Sequence, residues 1–222
     1  MIAADSYAKP WTIFGLGIAL LGLPIIVLAS RSLASDPTAA ASIFMRETVI
    51  LALLGILFWL IVKKEKLSLS SIGLGEHKIG SSVFWGLGGM LALVAGLAAC
   101  LAVFAVAGIS YGSSGGASGV SKWAVLMTVI RAGVAEEVFY RGYAIERLEA
   151  LTGKKWVAVA IPLILFAAFH YRQGMPGIFL AFVLGAILTG LYLWKRNLLA
   201  NIIAHFLIDF VPNILLPLIS GD

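Results

Sequence analysis

Two adjacent carboxylates, Glu136 and Glu137, lie in an apolar run that begins near Trp123, and Arg141 follows Glu137 by four residues. An ionisable group inside a membrane span is costly and marks function by default. On a helix, Glu137 and Arg141 share a face with the acid on the N-terminal side, so they can pair. Glu136 points about 100° away around the helix, which leaves it as the uncommitted carboxylate. The blander reading of the same residues is a pair of solvated acids at headgroup depth. Two of the three histidines, His170 and His205, also interrupt apolar runs, and Asp209 follows His205 at i,i+4. Glu136 lies 17 residues before Gly153 and His170 lies 17 after it. A helical hairpin turning at Thr152-Gly153 therefore brings these two to one height. His205 and Asp209 begin about two turns beyond Lys195-Arg196, near the same depth.

The chemistry this set can perform is water activation. A carboxylate takes a proton from water when burial raises its affinity for protons. A neighbouring imidazole can hold the same water or pass the proton on. A second polar pair can stabilise a developing oxyanion. No Ser or Cys sits in a nucleophile motif, so hydrolysis by activated water fits better than an acyl-enzyme route. A lone histidine in an apolar helix is more often a packed residue than a catalytic one. The convergence of two histidines, a free glutamate and an i,i+4 acid at one height carries the functional reading. Asp209 also has a plainer role, orienting His205. His77 lies in a polar connector and is assigned no role.

The elements that must position these groups follow from composition. The chain is 61% hydrophobic with a mean hydropathy of +1.02, well above ordinary soluble usage. Its 16 basic and 11 acidic residues leave long uncharged runs, which read as spans of about 20 residues. The expectation is an all-α, polytopic transmembrane helical bundle of about seven spans. The runs are Trp11 to Ser30, Ile43 to Val62, Ile79 to Ile109, a fourth from Lys122 bearing the paired glutamates, Trp156 to Tyr171, Gly177 to Trp194, and Leu198 to Ile219. Residues 1–222 read as one membrane-embedded domain and 123–219 as a catalytic four-helix core. The first span reads as retained rather than as a signal peptide. Pro24, Pro212 and Pro217 mark bends. Arg46 and Glu47 read as interfacial, and Leu67 to Lys78 as a polar connector along the surface. Gly86, Gly88, Gly89 and Gly96, with Ala181 and Gly185 in small-xxx-small spacing, suit close helix contact. Ser110 to Ser121 reads as a flexible Gly/Ser linker.

Net charge is +5, which in such a chain reports topology rather than nucleic-acid binding. On alternate sides, Lys9, Lys63, Lys64, Lys66, Lys78, Arg141, Arg147, Lys154, Lys155, Lys195 and Arg196 face Arg31, Arg46, Lys122 and Arg172. Arg131 lies within a span. The asymmetry puts the larger set and the N-terminus in the cytoplasm of a cell-membrane protein. The single Cys100 excludes an internal disulfide and a cysteine-rich metal site.

Three motifs, in order and on separate spans, carry a family resemblance. Glu136-Glu137-Val138-Phe139-Tyr140-Arg141 resembles the EExxxR motif of the CAAX prenyl protease type II and bacteriocin-processing (CPBP) intramembrane endopeptidases. Phe166-Ala167-Ala168-Phe169-His170 resembles their FxxxH. His205-Phe206-Leu207-Ile208-Asp209 resembles their HxxxN/D, and the lead-in from Asn197 is also similar. The likeness covers about Ala124 to Val211. It implies a membrane-embedded glutamate endopeptidase with Glu136 as general base and His170 as its partner on the water. His205 and Asp209 would form the oxyanion site, and Glu137 with Arg141 would brace the helix. The last motif position is Asp where the prenyl-protein enzymes have Asn. An ionised Asp cannot donate a hydrogen bond, so Asp209 must be protonated or act through His205. The implied partners are the lipid bilayer and a membrane-associated peptide or protein substrate, lipidated in the CAAX case.

No cofactor is expected. The alternative among enzymes is a zinc metalloprotease using the same Glu and His residues, although no HExxH is present. The non-enzymatic alternatives are an immunity or scaffold protein and a proton-coupled transporter. Against transport, there is no inverted repeat and no pair of broken helices.

Overall fold

In the computed structural model, residues 9–111 and 120–220 are described, and these residues are helical with no strand. Most of the Gly/Ser linker lies outside them. Seven helical segments run in order among the described residues. They are α1 (Lys9–Leu33), α2 (Ala40–Lys64), α3 (Ile79–Val106), α4 (122–152), α5 (Lys155–Ala168), α6 (Gly174–Lys195) and α7 (Leu198–Ile219). Five of them, α1, α2, α3, α6 and α7, are long and apolar enough to cross a membrane. The protein is an all-α helical membrane bundle. Helix α4 carries too much charge to meet that criterion, and α5, at 14 residues, is too short.

Prolines in α1 and α7 accompany widened turns. A proline ring clashes with the carbonyl four residues earlier and removes one hydrogen bond. Pro24 follows a π-helical turn at Ile18–Gly22 that contains Leu20, the residue four before it. Pro212 and Pro217 flank or lie within the widened end of α7, where Val211–Leu215 is π-helical. Between α1 and α2, Asp36 Oδ1 accepts from the Thr38 amide and hydroxyl and from the Ala39 amide. The Thr38 hydroxyl and amide hold the Asp36 carboxyl below its ordinary range.

The longest irregular winding is in α4. Lys122–Arg131 and Glu146–Thr152 are α-helical, and Ala132–Ile145 between them is π-helical. Gly153 ends the helix with φ +65°, a left-handed conformation that favours glycine. The turn expected at Thr152-Gly153 is therefore present.

Packing around α4 is close. A Cβ on Gly133 would lie 3.1 Å from the backbone nitrogen of Phe206, so α7 rests directly against α4 there. On α3, Gly86 meets Ile203 and Gly89 meets Ala204 of α7, while Gly96 faces Ile187 of α6. Gly88 has open space around it and is not a contact glycine. The connector after α2 is less superficial than its polarity suggests. Ile72 is fully buried, and the Gly73 carbonyl accepts from the Leu198 amide.

Two buried ion pairs join α2 to α4. Glu47 near the start of α2 binds Arg131, and Glu65 just past the end of α2 binds Arg147. Start meets start and end meets end, so the two helices run parallel. Glu47 is 0% exposed, enclosed by the protein itself. Arg141 and Arg147 are buried as well, so neither belongs to a loop. Without them, the two groups of basic residues counted from the sequence number nine and four.

Candidate active site

Glu137 is the hub of the buried polar cluster. The π-helical stretch of α4 aims it at α7. Its Oε1 accepts from Arg141 Nη1 at 2.8 Å and from His205 Nδ1 at 2.7 Å. Its Oε2 accepts from Asn201 Nδ2 at 3.2 Å. At 0% exposure, it has both oxygens engaged by donors from two helices. The i,i+4 pair with Arg141 is present as expected. The Arg141 guanidinium continues past it to the Gly185 carbonyl at 3.3 Å and lies 4.2 Å from the Phe166 ring centroid. A Cβ on Gly185 would lie 3.1 Å from Arg141 Nη2, so this small residue admits the guanidinium. The Ala181 and Gly185 spacing thus serves an arginine as well as helix contact.

Glu136 has different company. Its Oε1 accepts from Arg131 Nη1 at 2.5 Å, which corrects the expectation that this carboxylate is uncommitted. An α-helix places residues five apart on different faces. In a π-helix the hydrogen bonds themselves run from i to i+5, so residues 131 and 136 become neighbours on successive turns. Sequence spacing judged on α-helical geometry cannot find this pair. Among the described residues, Glu136 Oε2 makes no hydrogen bond, and the residue keeps 7% exposure.

His170 lies just beyond α5, between Ala168 and the 3₁₀ turn Tyr171–Gln173. Its Nδ1 is 2.8 Å from the Phe166 carbonyl. A carbonyl only accepts, so Nδ1 carries a proton, and in the neutral ring Nε2 presents a lone pair. No direct hydrogen bond joins His170 to Glu136 among the described residues. The link between the helices is aromatic. The Phe166 ring sits 5.0 Å from His170, 5.4 Å from Tyr140 and 6.4 Å from His205, centroid to centroid. Phe166 was visible in the sequence only as a motif position, and its packing role emerges from the fold. Tyr140, one turn beyond Glu136, has a buried hydroxyl with no hydrogen-bond partner among the described residues.

His205 and Asp209 share a face of α7, as their spacing requires. His205 Nε2 lies 3.5 Å from Asp209 Oδ2, and the Asp209 side chain is 37% exposed. The sequence pairs His205 with Asp209 alone. The structure gives its Nδ1 to Glu137 as well, so one imidazole bridges two acids. Among the described residues no three His, Cys, Asp or Glu side chains form a metal-binding group.

The site thus separates two adjacent carboxylates. Glu137 has no lone pair facing an opening and holds α4, α7 and Arg141 together. Glu136 has one oxygen fixed and one available. This arrangement supports proton transfer at Glu136 and structural duty at Glu137.

Comparison with known proteins bears on what this arrangement is for. No curated protein and no solved structure matches the chain. A match to a protein family does exist, to the Rce1-like group described as type II CAAX prenyl endopeptidases, and it spans residues 118–211. That interval contains Glu136, Glu137, Arg141, His170, His205 and Asp209. All three motifs therefore fall inside the segment that is similar to the Rce1-like group.

Proposed function

We propose that the protein is an intramembrane endopeptidase that hydrolyses a peptide bond of a membrane-associated substrate with water activated by Glu136. The family is one of membrane proteases, and the observation that carries the residue assignment is the split between the two glutamates. Both oxygens of Glu137 are engaged, by Arg141, His205 and Asn201, whereas Glu136 Oε2 has no hydrogen bond among the described residues. Only the second can accept a proton from water without breaking a buried hydrogen bond.

In this reading the water lies between Glu136 Oε2 and His170 Nε2. Glu136 removes its proton as the oxygen attacks the scissile carbonyl carbon. The carbonyl π electrons move to oxygen, and His205, carrying a proton on each ring nitrogen, donates Nε2–H to the resulting oxyanion with Asp209 beside it. Collapse of the intermediate expels the amine, which takes the proton held on Glu136. General-base steps of this kind contribute about 10²–10⁴ in rate. The N-terminus is assigned to the cytoplasm on the remaining basic asymmetry, and 123–219 is taken as the catalytic core. No metal is required by this scheme.

The test is cleavage of a reporter peptide by the purified protein in liposomes, with mass spectrometry of the products. Activity should depend on Glu136 and persist after chelation. Activity that disappears on chelation and returns with zinc would assign the same residues to a metal instead. Proton-coupled flux with no cleavage product would indicate a transporter.

A further inference from the structure

The residue that fixes Glu136 is held from outside the Rce1-like segment. Arg131 donates Nη1 to Glu136 and Nε to Glu47 Oε2, each at 2.5 Å. Glu47 belongs to α2. Its other oxygen accepts from Arg46 Nε at 2.9 Å and Nη2 at 2.5 Å, and from the Thr128 hydroxyl at 3.1 Å. Glu47 is therefore fully occupied and buried, with no freedom to follow its partner.

A guanidinium is a rigid planar fork. Once Nε is anchored on Glu47, the direction of Nη1 is set, and with it the position of Glu136 Oε1. A glutamate otherwise has several rotatable bonds and, at an incompletely closed site, several rotamers. Fixing one carboxylate oxygen leaves the other at a defined place. Charge also balances across the group, with Arg46 and Arg131 against Glu47 and Glu136. Glu65 and Arg147 also join α2 to α4, at the opposite ends of the two helices.

We propose that Arg131, aimed by Glu47, is a positioning residue that presents Glu136 Oε2 to the attacking water, so that α2 is part of the catalytic unit. This inference rests on the assignment of Glu136 as the base. A displacement of about 1 Å at a reacting group can cost on the order of 10²-fold in rate.

The experiment measures kcat and KM per folded protein on the reporter peptide in liposomes. Arg131→Gln should lower kcat by about tenfold or more and leave KM within about twofold. Arg131→Lys keeps the charge but not the fork and should recover only part of the loss. Glu47→Gln should also lower kcat, although it touches no reacting atom. Glu47→Gln combined with Arg131→Gln removes one charge of each sign and should be no worse than Arg131→Gln alone. It also carries the test if Arg131→Gln alone does not fold. An unchanged kcat in folded Arg131→Gln, or in the double variant where that one does not fold, overturns the proposal, as does a loss carried by KM alone.

A second readout does not depend on activity. In thermal unfolding, Glu47→Gln and Glu136→Gln should be non-additive when Arg131 is present and additive in the Arg131→Gln background. Additive shifts with Arg131 present overturn the clamp. Full activity in Glu136→Gln would instead overturn the protease assignment, and the unfolding cycle would still report on the clamp.

Discussion

Helices α2 and α4 are fastened at both ends by the same ion types, yet the two fastenings differ in what they leave over. At one end, Glu65 accepts from Thr12 at 2.9 Å, from Tyr143 at 2.7 Å and from Arg147 at 2.9 Å, and Arg147 Nη2 goes on to the Ser71 hydroxyl. That network spends its donors on the scaffold, tying α1, α2, α4 and the connector together. At the other end, Glu47 gathers Arg46, Thr128 and Arg131, and Arg131 retains a donor that reaches Glu136. A buried ion pair is weak evidence for stability in itself, since desolvation offsets much of the attraction. What separates the two ends is where the surplus hydrogen bond points. The Glu65 end ties scaffold elements to one another, and the Glu47 end reaches the carboxylate proposed as the base.

The largest effect expected on this contrast is in rate. Glu136→Gln keeps size and polarity but removes the base, and should reduce cleavage by about 10²–10⁴-fold. His170→Ala should be comparably damaging, because it removes the second contact to the same water. The double variant should be little worse than either single, as for groups that act as one unit. A Glu136→Gln protein that cleaves at the unmutated rate would erase the functional side of the comparison.

Next come effects on stability. Arg147→Ala strands Glu65, and Arg141→Ala strands Glu137; both acids are buried. Each should cost about 3–5 kcal/mol, visible as a lower folded yield and a lower thermal midpoint. Glu136→Gln should cost much less, because Arg131 keeps Glu47. Equal destabilisation by all three variants would mean that both ends of the α2–α4 pair, and both glutamates, are structural.

Smaller effects should come from shape and donor chemistry. Gly133→Ala forces a methyl group against the Phe206 backbone and should cost about 1–3 kcal/mol as α7 is pushed from α4. A proteolysis or thermal-shift measurement reads this directly, and a neutral result would mean the two helices can part without loss. Asp209→Asn should keep substantial activity in the cleavage assay, since an amide can donate where an ionised carboxylate cannot. Loss of activity in Asp209→Asn would show that a negative charge beside His205 is required.

Much of this molecule was legible from composition and spacing. Apolar runs between charged boundaries determine an all-helical membrane protein, because backbone groups in lipid must be satisfied within each segment. The i,i+4 spacings of Glu137 with Arg141 and of His205 with Asp209 determine two pairs that any helix would form. The hairpin at Gly153 follows from a residue that tolerates a left-handed conformation. The interactions between segments were not legible. Arg131 and Glu136 meet because α4 is wound as a π-helix from Ala132 to Ile145, and no local spacing rule for an α-helix anticipates that. The burial of Glu47 was not legible either, because burial is a property of the neighbours a helix acquires, and those neighbours are some 80 residues away in the chain. The link from His205 to Glu137 required α7 to rest against α4 at Gly133. Residue types set which chemistry was possible. The long-range packing decided which glutamate has both oxygens engaged and which has one.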